Sequence, residues 1–147
     1  MKKKNILIIV AIIAGLGIIG GGYGFYLFFK THKDLATVDP DFRLPAATLS
    51  NEFENDEGAA SKKYIDKVVE ITGLVSEVAL GSDSIVNVTL SQPDALSGVI
   101  CSFQGRSIDD VKVKKGDIAT IRGECSGVLL DVLLNNCVLI DKKSNPK

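Results

Sequence analysis

Twenty-five consecutive residues without a charge, running from Asn5 to Phe29, limit what the amino-terminal part of this chain can become. As a helix the run reaches roughly 37 Å at 1.5 Å per residue, enough to span a hydrocarbon core of about 30 Å with some tilt. A cleaved secretory signal would share the basic start, Lys2-Lys3-Lys4. Its apolar core, however, would be about 7–15 residues, closed by small residues. Here the run ends in the bulky Tyr23-Gly24-Phe25-Tyr26-Leu27-Phe28-Phe29, with no cysteine near it to accept a lipid. The segment therefore reads as a retained anchor.

Basic residues near the ends of a span set its direction. Lys2, Lys3 and Lys4 crowd the amino end, whereas Lys30 and Lys33 at the other end are diluted by Asp34 and Asp39. The expected arrangement is an amino terminus in the cytoplasm, a single pass of the cytoplasmic (inner) membrane, and residues 31–147 outside. Tyr23, Tyr26, Phe28 and Phe29 then form an aromatic belt at the outer interface. Gly17-x-x-x-Gly21 and Gly20-x-x-x-Gly24 match the small-xxx-small pattern of close helix pairing, although glycine is also simply common in membrane helices.

The anchor also explains the composition. The chain totals 17 Lys+Arg against 18 Asp+Glu, with a mean hydropathy of +0.22. The first 30 residues hold four of the lysines and none of the acids, so the remainder carries 13 basic against 18 acidic side chains, a balance of −5. That balance and length exclude a large enzyme, a disordered chain, a disulfide-dense miniprotein and a basic nucleic-acid binder.

Residues 31–45 show no sustained period and contain Pro40 and Pro45, as a linker would. Next, Leu49, Phe53, Ala60 and Tyr64 recur at helical spacing, predicting one amphipathic helix over residues 46–64, weakened by Gly58. From Val68 the period becomes two. Val69, Ile71, Gly73 and Val75 share one strand face, and the interior Gly73 predicts a bulge or bend. Turn residues 81–84 lead to a second strand at 85–90, and Val99, Cys101 and Phe103 mark a third. A short helical turn follows within 108–113, then a turn at 114–117 and two strands at 118–124 and 132–140. One helix and five short strands, the first long and bent, predict a mainly β domain: a five-stranded Greek-key barrel of the OB type with a capping helix. The domain is expected to cover residues 46–141, with 142–147 as a polar tail.

Three stretches carry a family resemblance. Lys63-Tyr64-Ile65-Asp66-Lys67-Val68-Val69-Glu70-Ile71-Thr72-Gly73-Leu74-Val75 resembles the opening strand of the tRNA-anti-like OB-fold family. Lys115-Gly116-Asp117-Ile118-Ala119-Thr120-Ile121-Arg122-Gly123-Glu124-Cys125-Ser126-Gly127 resembles its fourth strand, and Asp131-Val132-Leu133-Leu134-Asn135-Asn136-Cys137-Val138-Leu139-Ile140 its last. The resemblance implies a small bacterial envelope protein. Its motifs are structural glycines and apolar alternation, which speak for fold and not for chemistry.

An OB fold invites nucleic acid, which needs a positive groove and aromatic stacking platforms. After residue 30 the aromatics are Phe42, Phe53, Tyr64 and Phe103, and only Phe103 falls on a strand, on its inward side. Lys112, Lys114, Lys115 and Arg122 make the best basic patch, offset by Asp109, Asp110 and Asp117. Nucleic acid is therefore not the expected partner. Cys101, Cys125 and Cys137 are either small buried hydrophobes or one bridge plus a free thiol, Cys137 being able to meet either of the others. No metal spacing and no cofactor motif occur, and the single histidine, His32, lies in the linker. The acidic run Glu52, Glu54, Asp56 and Glu57 reads as a solvated helix face. No nucleophile has a base, so no catalysis is expected.

What is left is a tethered binding or scaffold module whose expected partner is an envelope protein or a second copy. The alternative is single-stranded nucleic acid or an oligosaccharide on the OB face. OB barrels bind through strands two and three and the flanking loops, which here places Asn87, Thr89, Ile100 and Ser102 outward. Val128, Leu129 and Leu130 either complete the last strand or, if exposed, mark an interface.

Overall fold

A computed structural model describes residues 3–30 and 34–145, without the side chains of Phe29 and Lys30. The expectations resting on Lys2, Phe29, Lys30, His32 and Lys33 fall outside that description. Contacts divide the chain into two units, residues 1–34 and 35–147. The first is helix α1, Lys3–Lys30, whose stretch Lys3–Phe28 is long and apolar enough to cross a membrane. Its position near the amino terminus suits a signal sequence as well as an anchor. Around each of its glycines nothing but the neighbouring residues and the helix's own backbone lies within 4 Å of where a Cβ would be.

The second unit is a closed barrel. Its elements are β1 (Phe42–Pro45), α2 (Ala46–Asn55), α3 (Glu57–Tyr64), β2 (Val68–Leu80), β3 (Ile85–Leu90), β4 (Val99–Gln104), α4 (Ile108–Val111), β5 (Ile118–Val128) and β6 (Val132–Lys143). The order β2-β3-β4-β6-β5 closes by pairing of β2 with β5, and β4 runs parallel to β6. This is the expected five-stranded OB topology. The alternation places Val69, Ile71, Val86, Val88, Val99, Cys101, Phe103 and Ile121 in its core, all at 2% exposure or less.

β2 is long because it serves two neighbours. Residues 68–74 pair with β5, and 75–80 pair with β3 across a register shift between Val75 and Glu77. The register shift lies just after Gly73; at residue 73 a Cβ would lie 2.8 Å from the Cβ of Ala46 and 3.3 Å from that of Leu90. Glycine lets the start of α2 and β3 close on the strand.

Two expectations are corrected. The single helix over residues 46–64 is two, broken at Asp56, whose φ of −153° and ψ of 88° leave the helical region. Its backbone N–H donates to the Glu52 carbonyl at 3.1 Å, and its carboxylate accepts from the Ala59 N–H at 3.0 Å. One residue thus ends α2 and caps α3. The buried face is unaffected: Leu49, Phe53, Ala60 and Tyr64 are all inside.

The second correction concerns residues 31–45. From Leu35 onward this stretch is part of the compact unit. Leu35 is buried, and β1 lies parallel to β2 from Phe42↔Val69 to Pro45↔Thr72. The Asp41 N–H donates to the Val68 carbonyl at 2.8 Å, and the Val68 N–H to the Asp41 carboxylate at 2.9 Å. The physical reason is the edge that β2 leaves open where β3 does not reach, which a short strand can pair without any helical or sheet period of its own. At the other end, β6 continues to Lys143, opposite Ile118.

Candidate functional site

The OB face is built by the β3–β4 pairing, which opposes Asn87 to Ser102 and Thr89 to Ile100. All four are half-buried while their strand neighbours are buried, so they point outward together. The Ser102 hydroxyl donates to Asn87 Oδ1 at 2.9 Å. β2 adds Glu77 opposite Thr89 and Ala79 opposite Asn87, and β6 adds Leu133 beside Ile100. The result is a small, mostly uncharged surface with one carboxylate and neither lysine, arginine nor aromatic ring.

Val128, Leu129 and Leu130 separate. Val128 ends β5 opposite Val132 and packs on the core, whereas Leu129 and Leu130 are 83% and 88% exposed at the hairpin tip. The strand pattern also passes over Leu96, 98% exposed in the β3–β4 loop. The two loops are tied together. The Gly98 N–H donates to Asp131 Oδ1 at 2.7 Å, and the Val132 N–H to the Gly98 carbonyl at 3.0 Å. Ser97 bonds in turn to Glu54 at the end of α2. Three aliphatic side chains thus stand in water on two linked loops.

The basic patch is altered. Lys112, Lys114 and Lys115 are exposed, and Lys142 joins them by donating to the Lys112 carbonyl. Asp117 turns inward to accept from the Lys114 N–H at 3.0 Å. Arg122 does not belong there. It is only 8% exposed, donates to Glu70 at 3.0 Å from Nε and 2.6 Å from Nη2, and reaches the carbonyls of Leu35, Ala36 and Val38 through Nη1. It clasps the segment ahead of β1 and offers nothing to a ligand.

The acidic helix face is partly engaged. Glu52 accepts from Lys63 Nζ and from the Tyr64 hydroxyl, each at 2.9 Å, and the lysine bond holds its carboxyl below the ordinary range. The three cysteines are free and buried. Burial, and then the neighbouring Cys137, push the Cys101 thiol well up, and burial raises Cys125. Among the described residues no group of three His, Cys, Asp or Glu side chains is placed to hold a metal. A mainly apolar cleft of ≈ 360 Å³, not anticipated from the strand pattern, opens between Ala46, Gly73, Leu74, Gln92 and Ile118.

A mainly β barrel of OB topology, in a chain that also carries an apolar amino-terminal helix, defines the fold class. More particularly, the chain belongs to the tRNA_anti-like family, whose profile matches residues 1–139. Among solved structures it is similar to a protein of Klebsiella pneumoniae subsp. pneumoniae MGH 78578 named "putative nucleic acid-binding lipoprotein". The two share 20% identity at a TM-score of 0.57, over 67% of this chain and 91% of that one. This likeness carries the fold. A search of curated proteins returns no match.

Proposed function

We propose that this chain is a membrane-tethered OB module that recruits another envelope protein, or a second copy, through the apolar loop tips, without catalysis. The observation that carries the reading is the trio Leu96, Leu129 and Leu130, all above 80% exposure on two loops joined by the Asp131–Gly98 hydrogen bond. Each leucine buried by a partner contributes about 1.5–3 kcal/mol of favourable transfer. The span of α1 supports tethering, and the lysines before it support an outward-facing barrel. A phosphatase fused to the carboxyl end is expected to be active outside the cytoplasm.

The name of the Klebsiella neighbour raises a second reading, single-stranded nucleic acid. The OB face here opposes it, lacking rings for stacking and cations for phosphate. The test is crosslinking of the full chain in native membranes with identification of neighbours. We expect a defined protein adduct that disappears in Leu129→Ser/Leu130→Ser, with the thermal midpoint unchanged. A lone monomer at every concentration, together with salt-sensitive binding of a labelled single-stranded oligonucleotide, would reverse the order of the two readings.

A further inference from the structure

Two of the three thiols are brought to one point of the barrel by a local irregularity. On β6 the register passes from Val138 opposite Arg122 to Asn135 opposite Glu124, so Asn136 and Cys137 together face Gly123. Asn136 takes a φ of 53°, the left-handed conformation of a bulge residue. Cys137 is thereby buried, and its thiol donates to the Leu134 carbonyl at 3.3 Å. Leu134 is the register partner of the fully buried Cys101 on β4. Room for the sulfur exists because residue 123 has no side chain: a Cβ there would lie 2.6 Å from Cys137 Sγ and 3.1 Å from Leu134 Cβ. Cys101 and Cys137 are buried in the same core cluster, and Cys137 is, after burial itself, the neighbour that pushes the Cys101 thiol up. Cys125 also opposes Leu134, from β5, but the groups acting on its thiol besides burial are the Gly127 backbone and Asp66.

The place matters for the fold. β4 and β6 meet through three register pairs, from Val99↔Val132 to Cys101↔Leu134, the shortest seam around the barrel. Cys101 is where that seam ends.

We propose that Cys101 and Cys137 form a disulfide as the barrel folds in the presence of a small-molecule disulfide, stapling the β4–β6 seam and leaving Cys125 free. One cysteine thiolate attacks a sulfur of oxidised glutathione and expels one glutathione thiolate. The second cysteine thiolate then attacks the protein sulfur of that mixed disulfide, forming the Cys101–Cys137 bond and expelling the second glutathione. Two protein thiols are oxidised, one glutathione disulfide is reduced to two thiols, and the two cysteine protons pass to the departing thiolates. Burial keeps the folded pair out of reach of the reagent, so exchange runs on the open chain and the closed barrel protects the product. The chemistry is independent of the ligand reading above.

The test uses the full chain in mild detergent, reduced and unfolded in urea, then refolded with or without a glutathione redox pair. Remaining thiols are alkylated and the peptides mapped by mass spectrometry without reduction. We expect one alkylated cysteine, Cys125, and one crosslinked pair containing Cys101 and Cys137. The thermal midpoint should rise by about 10 °C over the reduced protein, as for a bridge closing a long loop. Cys125→Ser should give the same crosslink, which removes reshuffling as its source. Three alkylated cysteines after oxidative refolding, or a bridge containing Cys125, would overturn the proposal.

Discussion

The Arg122 guanidinium makes two hydrogen bonds to Glu70, from Nε and Nη2, and shares Nη1 among three backbone carbonyls, those of Leu35, Ala36 and Val38. Removing the side chain strands the Glu70 carboxylate, 15% exposed, with only the longer Arg43 contact at 3.4 Å. A buried pair broken on one side destabilises by about 3–5 kcal/mol. Arg122→Ala should therefore lower the urea-unfolding free energy by that amount and open residues 35–41 to protease. Arg122→Lys should recover only a minor part, because an ammonium cannot fork onto Glu70 and reach the carbonyls as well. A loss below about 1 kcal/mol, the scale of an exposed pair, would make the clasp incidental. The sequence hides this role for a definite reason. Alternation puts Arg122 outward on its strand, and outward on a barrel means solvent unless something distant covers it. The cover comes from Leu35, 87 positions away, in a turn with no period to read. Leu96 was missed in the same way: a lone leucine in a polar loop becomes informative only once Asp131 ties that loop to Leu129 and Leu130.

Elements were more legible than residues, because strand periodicity survives in a barrel where each strand has one face in the core. The five barrel strands, the irregularity of β2 just after Gly73 and the four buried helix positions all follow from it. The break at Asp56 does not, since Leu49, Phe53, Ala60 and Tyr64 keep one face on either side of it. Its signal was local: an Asp whose carboxylate could cap the N–H three residues on. β1 carried no signal at all, being four residues shaped by the open edge of β2. Gly73 is the point where these elements meet, so its substitution tests their packing. Gly73→Ala drives a methyl to 2.8 Å from Ala46 Cβ at the first turn of α2. Overpacking of this kind costs about 1–3 kcal/mol. Because the closest obstacle is the Ala46 methyl, with Leu90 Cβ next at 3.3 Å, Ala46→Gly in the same chain should restore much of the loss, giving a coupling between the two sites that chemical denaturation can measure. Strict additivity of the two changes would mean that the close approach is not what excludes a side chain at residue 73.

For the whole molecule, the charge split at residue 30 separates an apolar helix from an acidic domain, while the folded unit starts only at Leu35. The difference between a domain starting at residue 35 and one starting at 46 is energetic. Residues 35–45 contribute the buried Leu35, worth about 1.5–3 kcal/mol. They add the paired hydrogen bonds of Asp41 and Val68, at about 1 kcal/mol each. They also supply all three backbone acceptors of Arg122, whose loss leaves a buried cation with Glu70 as its remaining partner. Together these are comparable with the entire stability of an ordinary domain, about 5–15 kcal/mol. A fragment of residues 35–147 should accordingly unfold in one cooperative urea transition. A fragment of residues 46–147, which keeps every strand of the closed barrel, should be several kcal/mol weaker or unfolded. Circular dichroism across the urea series separates the outcomes. Equal midpoints for the two fragments would return residues 35–45 to the role of a tether. A large gap would mean that residues 35–45 are a wall of the barrel, held in place by the hydrogen bonds of Arg122 to Leu35, Ala36 and Val38.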